Sequence, residues 1–105
     1  MKSQKKLLIL PGDGVGPEVC NEARKVIDSL SNLSFELDVD IDLIGGASID
    51  EFKTPLSSKV LDKARNADSI LLGAVGGKKW DSLTPSERPE KGLLELRSKL
   101  NFFAN

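Results

Sequence analysis

The sequence contains no histidine and no tyrosine. The commonest general base and metal ligand is therefore missing, as is the phenolic acid, and any catalysis by these residues rests on carboxylates, lysine and arginine. The single cysteine, Cys20, excludes an internal disulfide and offers no metal-ligand spacing, which fits a reducing, cytoplasmic setting. No apolar run is long enough to cross a bilayer; the longest, Ile70 to Val75, is strand-sized and has Gly73 inside it, so no membrane partner is expected. Met1 to Lys6 is basic, but the apolar stretch that follows ends at Pro11-Gly12, too soon for a signal-peptide core. Neither sign of charge dominates. Fifteen Lys plus Arg against sixteen Asp plus Glu leave a net charge of -1, which excludes the broad basic footprint of a nucleic-acid binder. The 105 residues, 39% of them hydrophobic, have the composition of a soluble globular protein and suffice for one domain or part of one.

Leu7 to Leu10 form a continuous apolar run between Lys6 and Pro11-Gly12, the pattern of a strand covered on both faces in a parallel sheet. From Pro17 onward Val19, Cys20, Ala23, Val26, Ile27 and Leu30 recur at helical spacing, with Pro17 suited to a first turn and Glu18 to the positive end of the helix dipole. Phe35, Leu37, Val39, Ile41 and Leu43 alternate with Glu36, Asp38, Asp40 and Asp42, which predicts a strand with one acidic face turned to water, closed by Gly45-Gly46. A metal site on that face is the rival reading, but alternating charge on an edge strand serves solubility more simply. Ser57 to Asp68 carries Val60, Leu61, Ala64 and Ala67 on one helical stripe, and Ser69 to Val75 reads as another buried strand. Gly76 to Gly92 is a polar connection, Leu93 to Leu100 returns to helical spacing, and Asn101 to Asn105 reads as the start of a further strand. The order predicts an α/β fold, a largely parallel sheet flanked by helices. Three or four strands leave a hydrophobic edge poorly protected, so the chain is expected to open something larger.

Three segments stand where chemistry could be carried. Gly12-Asp13-Gly14-Val15-Gly16-Pro17-Glu18 joins a strand to a helix, where backbone N–H groups can hold an anion. Its G-x-G-x-G spacing is not the dinucleotide fingerprint, and no Walker lysine follows, so a tight turn with a helix cap competes with a ligand-facing loop. Gly73-Ala74-Val75-Gly76-Gly77-Lys78-Lys79-Trp80-Asp81 lies just past a strand's carboxyl end, where open α/β sheets place ligands. Trp80 there either faces a ligand or covers a hydrophobic edge. Glu90, Leu93, Leu94 and Arg97 fall along one helix wall, with about 10 Å between the acid and the cation. Arg97 is also spaced to share the interior stripe with Leu93, Leu94 and Leu100. A buried guanidinium must find a carboxylate, snorkel to solvent or meet an anionic ligand, and its fork suits a carboxylate while the leucines suit an alkyl group on the same molecule.

Taken together, Leu10 to Glu18, Gly45-Gly46-Ala47-Ser48-Ile49-Asp50, Leu72 to Asp81 and Arg88-Pro89-Glu90-Lys91-Gly92-Leu93-Leu94-Glu95-Leu96-Arg97 resemble the 3-isopropylmalate dehydrogenases of the isocitrate/isopropylmalate dehydrogenase family. The resemblance runs from the first strand to Asn105. It implies an NAD-dependent β-decarboxylating dehydrogenase of leucine biosynthesis, assisted by Mg2+ or Mn2+, cytoplasmic and paired as a homodimer. Residues 1–105 would be the amino-terminal portion of its first, discontinuous domain. By this likeness Gly76, Gly77, Lys78, Lys79, Trp80, Asp81, Arg88, Pro89 and Glu90 would lie along the cofactor, with Glu90 near the nicotinamide. Leu93 would border the pocket for the substrate's isopropyl group, Leu94 would support it, and Arg97 would bind a carboxylate. The catalytic Tyr and Lys, the metal-binding aspartates, further substrate arginines and the adenosine-binding segment would fall outside these residues, leaving the 105 residues inactive alone. Lys78 departs from the family's usual proline, which removes a rigid residue from the loop. Isocitrate, homoisocitrate and tartrate relatives are the nearest alternatives, with Glu90 and Leu93 arguing against isocitrate, and a free-standing anion-binding α/β module is the alternative from another class.

Overall fold

The computed structural model describes residues 3–29 and 35–100. Three parallel strands form one sheet in the order β2-β1-β3. The central strand, β1 (Ser3–Gly12), pairs with β2 (Phe35–Ile41) from Ser3 opposite Phe35 to Ile9 opposite Ile41. On its other side it pairs with β3 (Ser69–Ala74) from Leu7 opposite Ser69 to Gly12 opposite Ala74. The strands are joined by α1 (Gly16–Ser29) and then by α2 (Gly46–Phe52) and α3 (Ser58–Asn66), with α4 (Glu90–Leu100) after β3. The α/β fold expected from the sequence is the fold observed.

The apolar run of β1 is buried on both faces because its side chains alternate between two cores. Leu8 and Leu10 enter one core with Ile44, Leu56, Val60, Ala64 and Leu96. Leu7 and Ile9 enter the other with Cys20, against which Ile27, Leu37, Val39 and Leu71 pack. Full burial of a leucine of this kind contributes about 1.5–3 kcal/mol, so the central strand anchors both layers. The Ser57 hydroxyl caps α3 by accepting from the Val60 N–H at 3.3 Å. Burial pushes the Cys20 thiol above its usual pKa, which leaves it an inert small hydrophobe.

Several expectations are corrected. Val19 and Val26 are more than half exposed, because α1 turns the face that carries Gly16, Cys20 and Ile27 toward the sheet. β3 is half-buried rather than buried, since it is an edge among the described residues. Leu30 and the strand expected at Asn101 to Asn105 lie outside the described residues. The acidic side of β2 does not simply face water. Asp38 and Asp40 are exposed, but Lys63 of α3 reaches Asp40 at 3.0 Å and the largely buried Asp42, just past the strand, at 2.7 Å. Neither alternative read from the sequence anticipated this charge balance.

Burial alone would raise the Asp42 carboxyl, but hydrogen bonds from Lys63 and the Leu43 N–H, with the charges of Lys63 and Lys59, bring it below the usual carboxylate range. The same contacts, Asp42 first and Asp40 second, raise Lys63. The Asp42 contribution is thus present above about pH 3.9 and fades as the pH falls through the depressed value, while that of Lys63 persists up to about pH 10.4 and fades above it. Lys63→Met is expected to cost about 1 kcal/mol at neutral pH. Urea midpoints of the two proteins should converge below the carboxylate range; an equal gap at acid and neutral pH would separate the loss from the ion pair.

Candidate functional site

α1 carries the chain from β1 to β2 on one side of the sheet, and α2 with α3 carries it back across to β3 on the other. The winding therefore reverses beside β1, and the crevice between the carboxyl ends of β1 and β3 is the topological switch point, where such sheets bind ligands. The loops at Gly12–Gly16 and Gly73–Gly77 meet there. Their backbones lie so close that the Asp13 N–H donates to Ala74 O at 2.6 Å, and a Cβ on Gly12 would overlap that same carbonyl.

Asp13 is the residue that the sequence reading did not single out. The residue is 5% exposed, and its carboxylate accepts three backbone N–H groups: Gly46 and Gly76 on Oδ2 at 2.7 and 2.9 Å, and Ala47 on Oδ1 at 2.7 Å. Two of these donors open α2, so Asp13 caps that helix from a distant segment and its charge lies at the positive end of the helix. The Asp13 side chain caps α2, a helix that was not expected at all, rather than α1, the helix that this loop opens and for which a cap was expected. The only local signal was an acid between glycines, a type that commonly bonds nearby main chain.

Trp80 lies across this hub. Its ring sits where a Cβ of Gly46 would be, its Nε1 donates to Asp50 at 3.3 Å, and Lys79 Nζ lies 5.5 Å from the ring centre and 2.7 Å from the same carboxylate. The Lys79 hydrogen bond first, and Trp80 with it, hold the Asp50 carboxyl below its usual range despite an opposing desolvation. Trp80 thus covers the start of α2. Gly46→Ala is expected to displace this ring, which belongs to an exposed turn and can yield, at a cost of only about 1 kcal/mol. Because the chain has one tryptophan, its emission should move to the red; unchanged emission would mean that the ring does not rest on Gly46.

Gly77, Lys78, Lys79 and Asp81 are exposed along the loop that follows, and Gly76 has φ +100°. The loop carries two single turns of 3-10 helix, Lys78–Trp80 and Pro85–Glu87. Arg88 closes it on itself, donating from Nε to Leu83 O at 2.9 Å and from Nη2 to Asp81 O at 3.0 Å. Pro89 is buried, and Glu90 begins α4 with Oε1 where a Cβ of Gly76 would be. Glu90 and the second glycine loop are therefore brought together.

The interior position expected for Arg97 is overturned. Gly92 and Leu96 take the core side of α4, with Gly92 so close to Pro55 that a Cβ would stand 2.6 Å from its carbonyl oxygen. Arg97 lies on the opposite side and is exposed, together with Glu90 and with Leu94, which is 58% exposed, while Leu93 is half-buried at the margin. Helical spacing alone allowed two stripes, and close backbone contact selected the one containing glycine. The acid, the leucines and the cation still share a wall, but that wall faces outward.

A second concavity, of about 640 Å³, runs between α3 and the acidic side of β2. Its lining includes Lys6, Lys59 and Lys63 together with Asp38, Asp40 and Asp62, so these charges are balanced. Among the described residues no group of three or more His, Cys, Asp or Glu comes together as a metal site.

A parallel sheet with glycine loops gathered at its switch point, and an outward helix wall carrying an acid and an arginine beside them, define an α/β unit of the doubly wound class. The chain belongs to the isocitrate/isopropylmalate dehydrogenase family, whose sequence profile matches residues 6–105. It is 52% identical over 103 residues to a 3-isopropylmalate dehydrogenase of Pseudomonas syringae, covering 96% of this chain and 28% of the relative. It is 54% identical over 104 residues to that of Xanthomonas oryzae, covering 96% of this chain and 29% of the relative. Among solved structures, the apo β-decarboxylating dehydrogenase of Thermococcus kodakarensis superposes with a TM-score of 0.74 at 26% identity, over 92% of this chain and 27% of that one. Isocitrate dehydrogenase of Methylococcus capsulatus gives 0.63 at 29% identity, over 92% and 26%. The chain thus spans between a quarter and a third of the length of these relatives.

Proposed function

We propose that these residues form the amino-terminal portion of the first, discontinuous domain of a cytoplasmic, homodimeric oxidoreductase that oxidises and decarboxylates 3-isopropylmalate with NAD in leucine biosynthesis. The observation that carries this reading is the meeting of Glu90 with Gly76 at the switch point, with Leu94 and Arg97 on the same outward face of α4. The two relatives at 52 and 54% identity are both 3-isopropylmalate dehydrogenases. No helix among the described residues is long and apolar enough to cross a membrane.

The residues present suit the cofactor. Gly77 is exposed and carries no side chain, so a flat ligand can lie on main chain there, backed by Trp80. Lys78 offers positive charge to a diphosphate, Lys79 lies beside it paired with Asp50, and Glu90 can accept a hydrogen bond from a carboxamide. Asp81, Arg88 and Pro89 keep the far side of the loop in shape, Arg88 by its two bonds to carbonyls. Bound there, NAD would supply a hydride acceptor for the substrate's C2 carbon, and Mg2+ or Mn2+, held by residues outside these 105, would supply positive charge for the decarboxylation. Leu93 borders the pocket for the isopropyl group and Leu94 supports it, while Arg97 grips a carboxylate with its fork and fixes the substrate's orientation.

The full-length enzyme is expected to reduce NAD with 3-isopropylmalate in preference to isocitrate, homoisocitrate or tartrate; a preference for isocitrate would end the substrate assignment. Arg97→Lys should raise KM for 3-isopropylmalate about tenfold, since a point charge cannot reproduce two parallel hydrogen bonds. An unchanged KM would remove Arg97 from the site.

A further inference from the structure

We infer that Asp13, without touching cofactor or substrate, is the positioning residue that sets both walls of the loop proposed to receive the cofactor. The inference rests on that proposed function for its kinetic consequence, but its geometry stands independently. One oxygen, Oδ2, accepts from both the Gly46 and the Gly76 N–H. Gly46 is the residue on which the Trp80 ring rests, and Gly76 is the residue against which the Glu90 carboxylate rests. Neither glycine has a side chain to fix its distance from a neighbour, so each takes its position from its main-chain partners. The carboxylate is thereby the common support of Trp80 at one end of the loop and Glu90 at the other. It is buried, and its two lone-pair-rich oxygens fit three N–H donors, whereas a neutral amide presents one oxygen and adds two donors of its own to a place already full of them.

A role confined to holding α2 in place would need only the Gly46 and Ala47 bonds. The Gly76 bond reaches across 63 residues to the loop after β3, and it is the one that ties the capped helix to the site. The residue is therefore expected to act on cofactor binding more than on the rate once cofactor is bound.

The test is Asp13→Asn, read in two ways. In this chain, where Trp80 is the only tryptophan, the emission of Trp80 should shift to the red while circular dichroism keeps its helical signal. In the full-length enzyme KM for NAD should rise about tenfold or more while kcat changes by less than about threefold. Should Asp13→Asn fail to fold, Asp13→Ala with added formate takes its place: a small carboxylate entering the vacated space should restore the Trp80 emission and lower KM for NAD, in proportion to its concentration. Unchanged Trp80 emission, or an unchanged KM for NAD in an enzyme that turns over 3-isopropylmalate, overturns the inference, as does a formate series with no effect in Asp13→Ala. If the unaltered enzyme does not reduce NAD at all, the proposed function fails, while the emission and formate responses still decide whether Asp13 supports the loop.

Discussion

Replacing Asp13 with alanine is expected to destabilise the fold by roughly 3 kcal/mol or more, since each buried donor deprived of its partner costs about 1–3 kcal/mol and water entering the vacated space offsets part of that loss. The donors are the N–H groups of Gly46, Ala47 and Gly76. All three belong to main chain that folding has already placed around a carboxylate, and none has another oxygen within reach of comparable geometry in the described contacts. The seven-residue α2 suffers most, because its N-cap residue Gly45 makes no side-chain cap of its own. Amide exchange followed residue by residue should show these three protons exchanging about a hundredfold faster, the equivalent of roughly 3 kcal/mol. Amides in β1 should be affected only through the global loss. If Gly46, Ala47 and Gly76 keep their protection in the alanine protein, the carboxylate is not what holds them.

Much of the fold was legible from spacing. The run Leu7 to Leu10 read as a strand covered on both faces, and it is. The stripe Val60, Leu61, Ala64, Ala67 read as a helix facing the core, and α3 packs that way. Those readings succeed because each pattern is local and repeats over several turns or strand pairs. α2 was missed because its signal is not local: it has seven residues, begins at paired glycines, and is capped by an acid 33 and 34 positions earlier. The candidate site divides in the same way. Its glycine loops and the wall of α4 were found from type and position, but the side of α4 that turns inward was misassigned. Leu93, Leu94 and Leu100 look like the interior stripe; Leu100 does pack against the core, but Leu94 is exposed and Gly92, resting on the Pro55 carbonyl, takes the inner side with Leu96. A glycine's capacity for close approach carries no hydrophobicity, so a reading based on apolar spacing ranks it too low.

Close approach of the same kind gives the second large effect, expected for Gly73→Ala. A Cβ on Gly73 would overlap the Pro11 carbonyl oxygen and come within 3.0 Å of Gly16 Cα and of the Pro11 carbonyl carbon. Every one of these atoms is main chain, and the Pro11 oxygen is also what a Cβ on Gly16 would strike. That oxygen is held between the start of α1 and the end of β3, so no side chain can swing aside to make room. The strand must instead move away from β1 and α1, which opens the switch point and separates Ala74 from the Asp13 N–H that bonds to it at 2.6 Å. The expected cost is about 3 kcal/mol, the upper part of the range for overpacking, because the obstruction is rigid. Gly14→Ala is the comparison. Its Cβ would meet nothing within 4 Å, and only the strain of its φ of +59° remains, about 1 kcal/mol. Urea midpoints at unchanged m should therefore place Gly73→Ala well below Gly14→Ala. Equal losses would show that the loops around the crevice tolerate a methyl group there, and that the narrow spacing of β1, β3 and α1 does not set the shape of the site.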